Sequence, residues 1–128
     1  MLIMSKAITL SFIFSFIGLF QTYACDTTKI IAHRGVSSLA PQNTLPAFQL
    51  GIDLNVDYIE LDVQQSSDDS LIVMHDATVD ATTSYSGLVN SYSYNDLKLM
   101  DAGSWFSNDY IGTEIPTLYE VLALAQGK

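Results

Sequence analysis

Three hydrophobic rhythms succeed one another along the chain, and each predicts a different element. Ile8 to Phe20 is a 13-residue run dominated by apolar side chains. Lys29-Ile30-Ile31-Ala32-His33 is shorter and reads as a strand ending at Gly35; its lack of alternation predicts burial on both faces, as in a parallel sheet. Ser37 to Gln42 reads as a loop. Asn43 or Thr44 is placed to cap a helix with Pro46 in its first turn. Leu45, Phe48 and Ile52 give that helix one buried face, and Gly51 and Asn55 mark its end. Asp57 to Gln64 then alternates with a period of two, placing Tyr58, Glu60, Asp62 and Gln64 on one side of a strand and Ile59, Leu61 and Val63 on the other.

Ser66 to Ser70 reads as a turn and Leu71 to His75 as a third strand. The turn is too short for a crossover helix. A hairpin about Asp68-Asp69 sets Asp62 opposite His75 and brings Glu60, Asp62 and His75 to one face. A parallel arrangement with an extended return satisfies the same pattern. Ala77 to Thr113 changes character: it is rich in Ser, Tyr, Asn and Gly, with one short helical stretch at Tyr94 to Leu99. Thr117 to Ala125 is a helix by its capping box, Thr117 with Glu120, and by an apolar face of Leu118, Val121, Leu122 and Ala125. Strand, helix, strand, strand, insertion, helix is the opening of an α/β fold.

The N-terminal run is too short for a comfortable membrane span, which takes roughly 20 apolar residues. Preceded by Lys6 and followed by Thr22-Tyr23-Ala24, it has the layout of a secretory signal peptide over residues 1–24. A secreted or periplasmic protein is expected. Cys25, the single cysteine, rules out a disulfide within the chain. Its place directly after Ala24 also suits a bacterial lipoprotein, and only lipidation there would tie the protein to a membrane. Bulky Tyr23, and Thr22 in place of leucine, make plain secretion the preferred reading. Residues 25–128 hold 4 basic and 14 acidic residues, a net charge of −10. So acidic a surface repels nucleic acid and anionic lipid, and a site for an anionic substrate must bring its own positive charge. A divalent cation is one source.

Candidate chemistry concentrates at strand ends, where α/β enzymes place their sites. His33-Arg34-Gly35 pairs an imidazole with the chain's only arginine, whose planar fork of donors suits phosphate oxygens. Glu60 and Asp62 share one face of an otherwise apolar strand. Two carboxylates there are costly unless compensated, and a hard cation such as Ca²⁺ or Mg²⁺ compensates with oxygen coordination. His75-Asp76 supplies the second and last histidine, so the two imidazoles are candidates for general base and general acid across a phosphodiester. Glu120 is better explained as a helix cap than as a ligand. Trp105 and Phe106 either line a cleft or fill the core of the insertion.

Taken together, His33-Arg34-Gly35, Pro41-Gln42-Asn43-Thr44, Ala47-Phe48, Tyr58 to Val63, Asp68, His75-Asp76, Thr82-Thr83, Gly87, Leu99 to Phe106 and Ile115 to Leu118 resemble the glycerophosphodiester phosphodiesterase family, over about residues 29–125. The resemblance implies a TIM-type (β/α)₈ barrel, of which residues 25–128 would be the N-terminal part: the first three strands, an insertion at about 76–114 and the following helix. It implies metal-dependent hydrolysis of glycerophosphodiesters to glycerol 3-phosphate and an alcohol such as choline or ethanolamine. His33 and His75 would be the catalytic pair, Arg34 the phosphate ligand, and Glu60 and Asp62 the ligands of Ca²⁺ or Mg²⁺. A lysophospholipase D-type phosphodiesterase, or a phosphate-binding remnant without turnover, would use the same residues. Departures are Gln42 where the family usually has glutamate, Ala81 where a basic residue commonly precedes the Thr-Thr pair, and Asp69-Ser70 where Asp-Gly is usual. The family's third carboxylate ligand would fall beyond Lys128, and a barrel of roughly 250 residues is not complete in 128. The expectation is therefore a chain inactive on its own.

Overall fold

The computed structural model describes residues 28–127. The leader pattern of residues 1–24 and Cys25 lie outside the described residues. The order of elements is β1 (Ile31–Ala32), α1 (Leu45–Asp53), β2 (Tyr58–Ile59), β3 (Val63–Gln65), β4 (Leu71–Val73), α2 (Tyr94–Lys98) and α3 (Leu118–Ala125), with single 3₁₀ turns at Val89–Ser91 and Asn108–Tyr110.

β1 and β2 pair in parallel, Ile31 with Tyr58 and Ala32 with Ile59, and α1 makes the crossover between them. Gly51 lies inside α1 rather than at its end. A side chain there would meet Ile59 and Ala32 at 3.4 and 3.5 Å, so the glycine lets the helix settle onto both strands. Asn55, with φ of 53°, is what stops the helix; its N–H donates to the Ile52 carbonyl at 2.9 Å. Neither expected cap acts as one. Thr44 occupies the N-cap position, but its hydroxyl donates to the Pro41 carbonyl at 2.6 Å, and the Asn43 side chain is engaged elsewhere.

The three expected strands are four, in two separate two-stranded sheets. Asp57–Gln64 does not run as one strand: it breaks at residues 60–62, between β2 and β3. β3 and β4 form the antiparallel hairpin, so the parallel alternative is excluded, but the register is one residue off the expected one. Val63 pairs with Val73, and the Met74 N–H donates to the Asp62 carbonyl at 3.0 Å. Asp62 therefore faces Met74, not His75. A one-residue slip exchanges the faces of a strand, so the hairpin does not itself bring Asp62 and His75 together. The turn rather than the strand pattern sets this register: Ser66 accepts from Ser70 N–H through its hydroxyl and donates to the Ser70 carbonyl through its N–H, with Asp69 in the left-handed region at φ 64°.

β4 divides the core. Ile72 and Met74 enter one cluster with Val79, Val89, Leu97, Met100, Ala102 and Ile115, which is the core of the long segment between β4 and α3. Val73 enters the other, with Phe48 of α1 and Val121 of α3. The period of two within one short strand thus joins two packing units. In α3 the capping box is present as read from the sequence. Its buried face is Val121 with Leu118 and Leu124 at the margin, whereas Leu122 is exposed. Glu120 also receives Lys98 Nζ at 2.9 Å, so it ties α2 to α3 and is structural. No helix among the described residues is long and apolar enough to cross a membrane.

Candidate active site

The site is built from the turn after β1, the loop before α1 and the break between β2 and β3. Arg34 and Gly35 follow β1 with φ of 55° and 75°. Both of their N–H groups meet Glu60. Its Oε2 accepts from Arg34 N–H at 2.9 Å and its carbonyl from Gly35 N–H at 3.2 Å, while its own N–H donates to the Ala32 carbonyl at 2.9 Å. A left-handed arginine is strained, and such strain clusters where function fixes the backbone.

The Arg34 side chain reaches across to the second carboxylate. Nε lies 3.4 Å from Asp62 Oδ2 without hydrogen-bond geometry and is buried with no hydrogen-bond partner among the described residues. Nη1 donates to Gln42 Oε1 at 2.8 Å. His33 Nε2 stands 4.0 Å from Glu60 Oε2, on a side chain two-thirds exposed. His33, Arg34, Glu60 and Asp62 therefore form one cluster. His75 is not in direct contact with it. It hydrogen-bonds Asp76 through Nδ1 at 2.7 Å, and with Gln42, Asn43 and Thr82 it lines a small cleft. Gln42 and Asn43 line this cleft and also contact Arg34 and Asp62.

Two members of this site have other roles by sequence pattern. Asn43 fits a helix cap, yet it binds Asp62. Gln42 departs from the family's usual glutamate, and it holds the arginine. Their signal was an uncapped helix start beside a cluster of charge, and it does not separate a cap from a contact made across the fold.

Glu60 and Asp62 offer hard oxygen donors, as Mg²⁺ and Ca²⁺ require. Each uses one oxygen in the contacts above, leaving Glu60 Oε1 and Asp62 Oδ1 without a hydrogen-bond donor among the described residues. These residues hold no group of three or more His, Cys, Asp or Glu side chains placed to bind a metal.

Residues 33–128 match the family model described as the glycerophosphoryl diester phosphodiesterase family. The chain belongs to this family. Among curated relatives it is 50% identical over 93 residues to a putative glycerophosphodiester phosphodiesterase of Bacillus subtilis, covering 73% of this chain and 38% of that one. It is 46% identical over 101 residues to a glycerophosphodiester phosphodiesterase of Caldanaerobacter subterraneus, covering 79% and 42%. Among solved structures, a glycerophosphodiester phosphodiesterase from Agrobacterium tumefaciens superposes with a TM-score of 0.72 at 42% identity, covering 74% of this chain and 41% of that one. An Oleispira antarctica phosphodiesterase, in complex with the product sn-glycerol-3-phosphate, gives 0.74 at 37% identity, covering 76% and 39%. The chain thus spans about two fifths of the length of these relatives. The likeness implies an α/β fold of the TIM-barrel type.

Proposed function

We propose that the protein hydrolyses glycerophosphodiesters to glycerol 3-phosphate and an alcohol, in a reaction that needs a divalent cation, Mg²⁺ or Ca²⁺, held by Glu60 and Asp62. The observation that carries this reading is the convergence of both carboxylates on Arg34, the chain's only arginine, beside His33. The Oleispira relative's bound glycerol 3-phosphate supports the same product here.

Bound at Glu60 and Asp62, the cation would act as a Lewis acid that offsets phosphoryl charge. Arg34 supplies the complementary fixed charge. Gln42 anchors its Nη1 and Asp62 flanks its Nε, which leaves the Nη2 edge to donate to a non-bridging phosphate oxygen. Water attacks phosphorus, and one imidazole takes its proton. The other imidazole protonates the oxygen that leaves as the alcohol when its bond to phosphorus breaks. With Nδ1–H held toward Asp76, Nε2 is the His75 nitrogen that takes a proton as the base in the neutral form, or gives one as the acid in the imidazolium form.

The test is release of glycerol 3-phosphate from glycerophosphocholine by the protein expressed from its complete reading frame. Release that EDTA stops and Mg²⁺ or Ca²⁺ restores is the expected result. No release from any glycerophosphodiester, with the protein folded and metal supplied, would overturn the proposal.

A further inference from the structure

We infer that Asn43 is a positioning residue that fixes the Asp62 carboxylate; this rests on reading Glu60 and Asp62 as cation ligands. Asn43 precedes α1 by two residues and is 4% exposed, with φ of 57°. Local rules would spend its side chain on the helix cap, worth about 1 kcal/mol. It is spent on Asp62 instead. Nδ2 donates to Asp62 Oδ2 at 3.0 Å, and Oδ1 accepts from the Asp62 N–H at 3.3 Å. Its backbone N–H donates to the Arg34 carbonyl at 2.9 Å. One residue therefore ties the turn that carries Arg34 to both the backbone and the carboxylate of Asp62.

The position needs this chemistry. Asp62 lies in the gap between β2 and β3, where no ladder partner receives its N–H. A buried N–H must find an acceptor, and only a carboxamide offers that acceptor beside a donor for the carboxylate. Asparagine is also among the few non-glycine residues that settle in the left-handed region. With Oδ2 held by Asn43 and flanked by Arg34, Asp62 presents Oδ1 as its open oxygen. Partners that orient a ligand typically change metal affinity by about 10–100-fold when removed.

The complete protein is titrated with Mn²⁺, a carboxylate-binding stand-in for Mg²⁺, and binding is read from water-proton relaxation. Asn43→Gly removes the side chain without opposing the backbone conformation. Asn43→Asp keeps the acceptor but sets a second carboxylate against Asp62 Oδ2. Thr44→Ala, which deletes the neighbouring bond to the Pro41 carbonyl, serves as the structural control, and thermal melts show that each variant is folded. Both Asn43 variants should bind Mn²⁺ about tenfold more weakly, even though Asn43→Asp adds negative charge, while Thr44→Ala binds as the parent does. Unchanged binding by Asn43→Gly, or tighter binding by Asn43→Asp, would overturn the positioning role while leaving the cation site standing. Absence of Mn²⁺ binding by the parent protein would instead remove the cation reading, and this inference with it.

Discussion

Replacing Gly35 by alanine loads two separate costs onto one added carbon. Gly35 sits at φ of 75°, where an L-residue pays about 1–2 kcal/mol. The new Cβ would also lie 2.7 Å from both the backbone carbonyl carbon and the Cβ of Ala47. Ala47 has no freedom to retreat: it is fully buried in α1, and its carbonyl accepts the Val36 N–H at 3.1 Å. Forcing a carbon into such a contact costs about 1–3 kcal/mol, so the total is roughly 2–5 kcal/mol out of the 5–15 typical of a domain. Gly112→Ala isolates the first cost, because φ there is 83° and nothing lies within 4 Å of a Cβ. Urea unfolding of both variants separates the terms. With m of roughly 1–2 kcal/mol/M, the overpacking cost alone should put the Gly35→Ala midpoint about 0.5–3 M below that of Gly112→Ala, at equal m. Equal midpoints would refute the claim that the turn after β1 is wedged against α1. Because that turn also holds Glu60 through two N–H groups, the loss should extend to cation binding.

Other outcomes are expected at the α2–α3 ion pairs and at the site. Lys98 is 16% exposed and bonds Glu114 at 2.6 Å and Glu120 at 2.9 Å, so Lys98→Met should cost about 1–2 kcal/mol by denaturant melts, between an exposed and a fully buried pair. Burial pushes the Glu120 carboxyl up, but its bonds from Thr117 and Lys98 outweigh this and hold it below its ordinary value of 4.5. Its contribution is therefore complete above that pH and lost as pH falls through the lower folded value, and Lys98→Met should flatten this acid limb in melts followed against pH. Gln42→Glu would add a second carboxylate to Arg34 and should weaken binding of glycerol 3-phosphate about tenfold, or ~1.4 kcal/mol, by calorimetry; tighter binding would contradict the use of Arg34 charge for phosphate. His33→Ala and His75→Ala should each lower kcat by at least ~10² with cation affinity unchanged, and a normal kcat in both would remove the acid–base assignment.

What the chain's own pattern determined is the local order: α1 from its apolar face, α2, and α3 with the capping box that occupies Glu120, while the short turn after β3 excluded a crossover helix and left the antiparallel pairing of β3 with β4 to the fold. These depend on residues close in sequence, where periodicity and capping chemistry act directly. The candidate residues were legible for the same reason, since a carboxylate or arginine at a strand end is conspicuous wherever the chain goes. Only the tertiary structure decided the break at residues 60–62, the one-residue shift that sets Asp62 against Met74, and the diversion of Gln42 and Asn43 from loop and cap to Arg34 and Asp62. Each turns on a contact between segments that are distant in sequence, or on the exact closure of a turn. A hydrogen bond won across the fold there outweighs the local preference that the sequence displays.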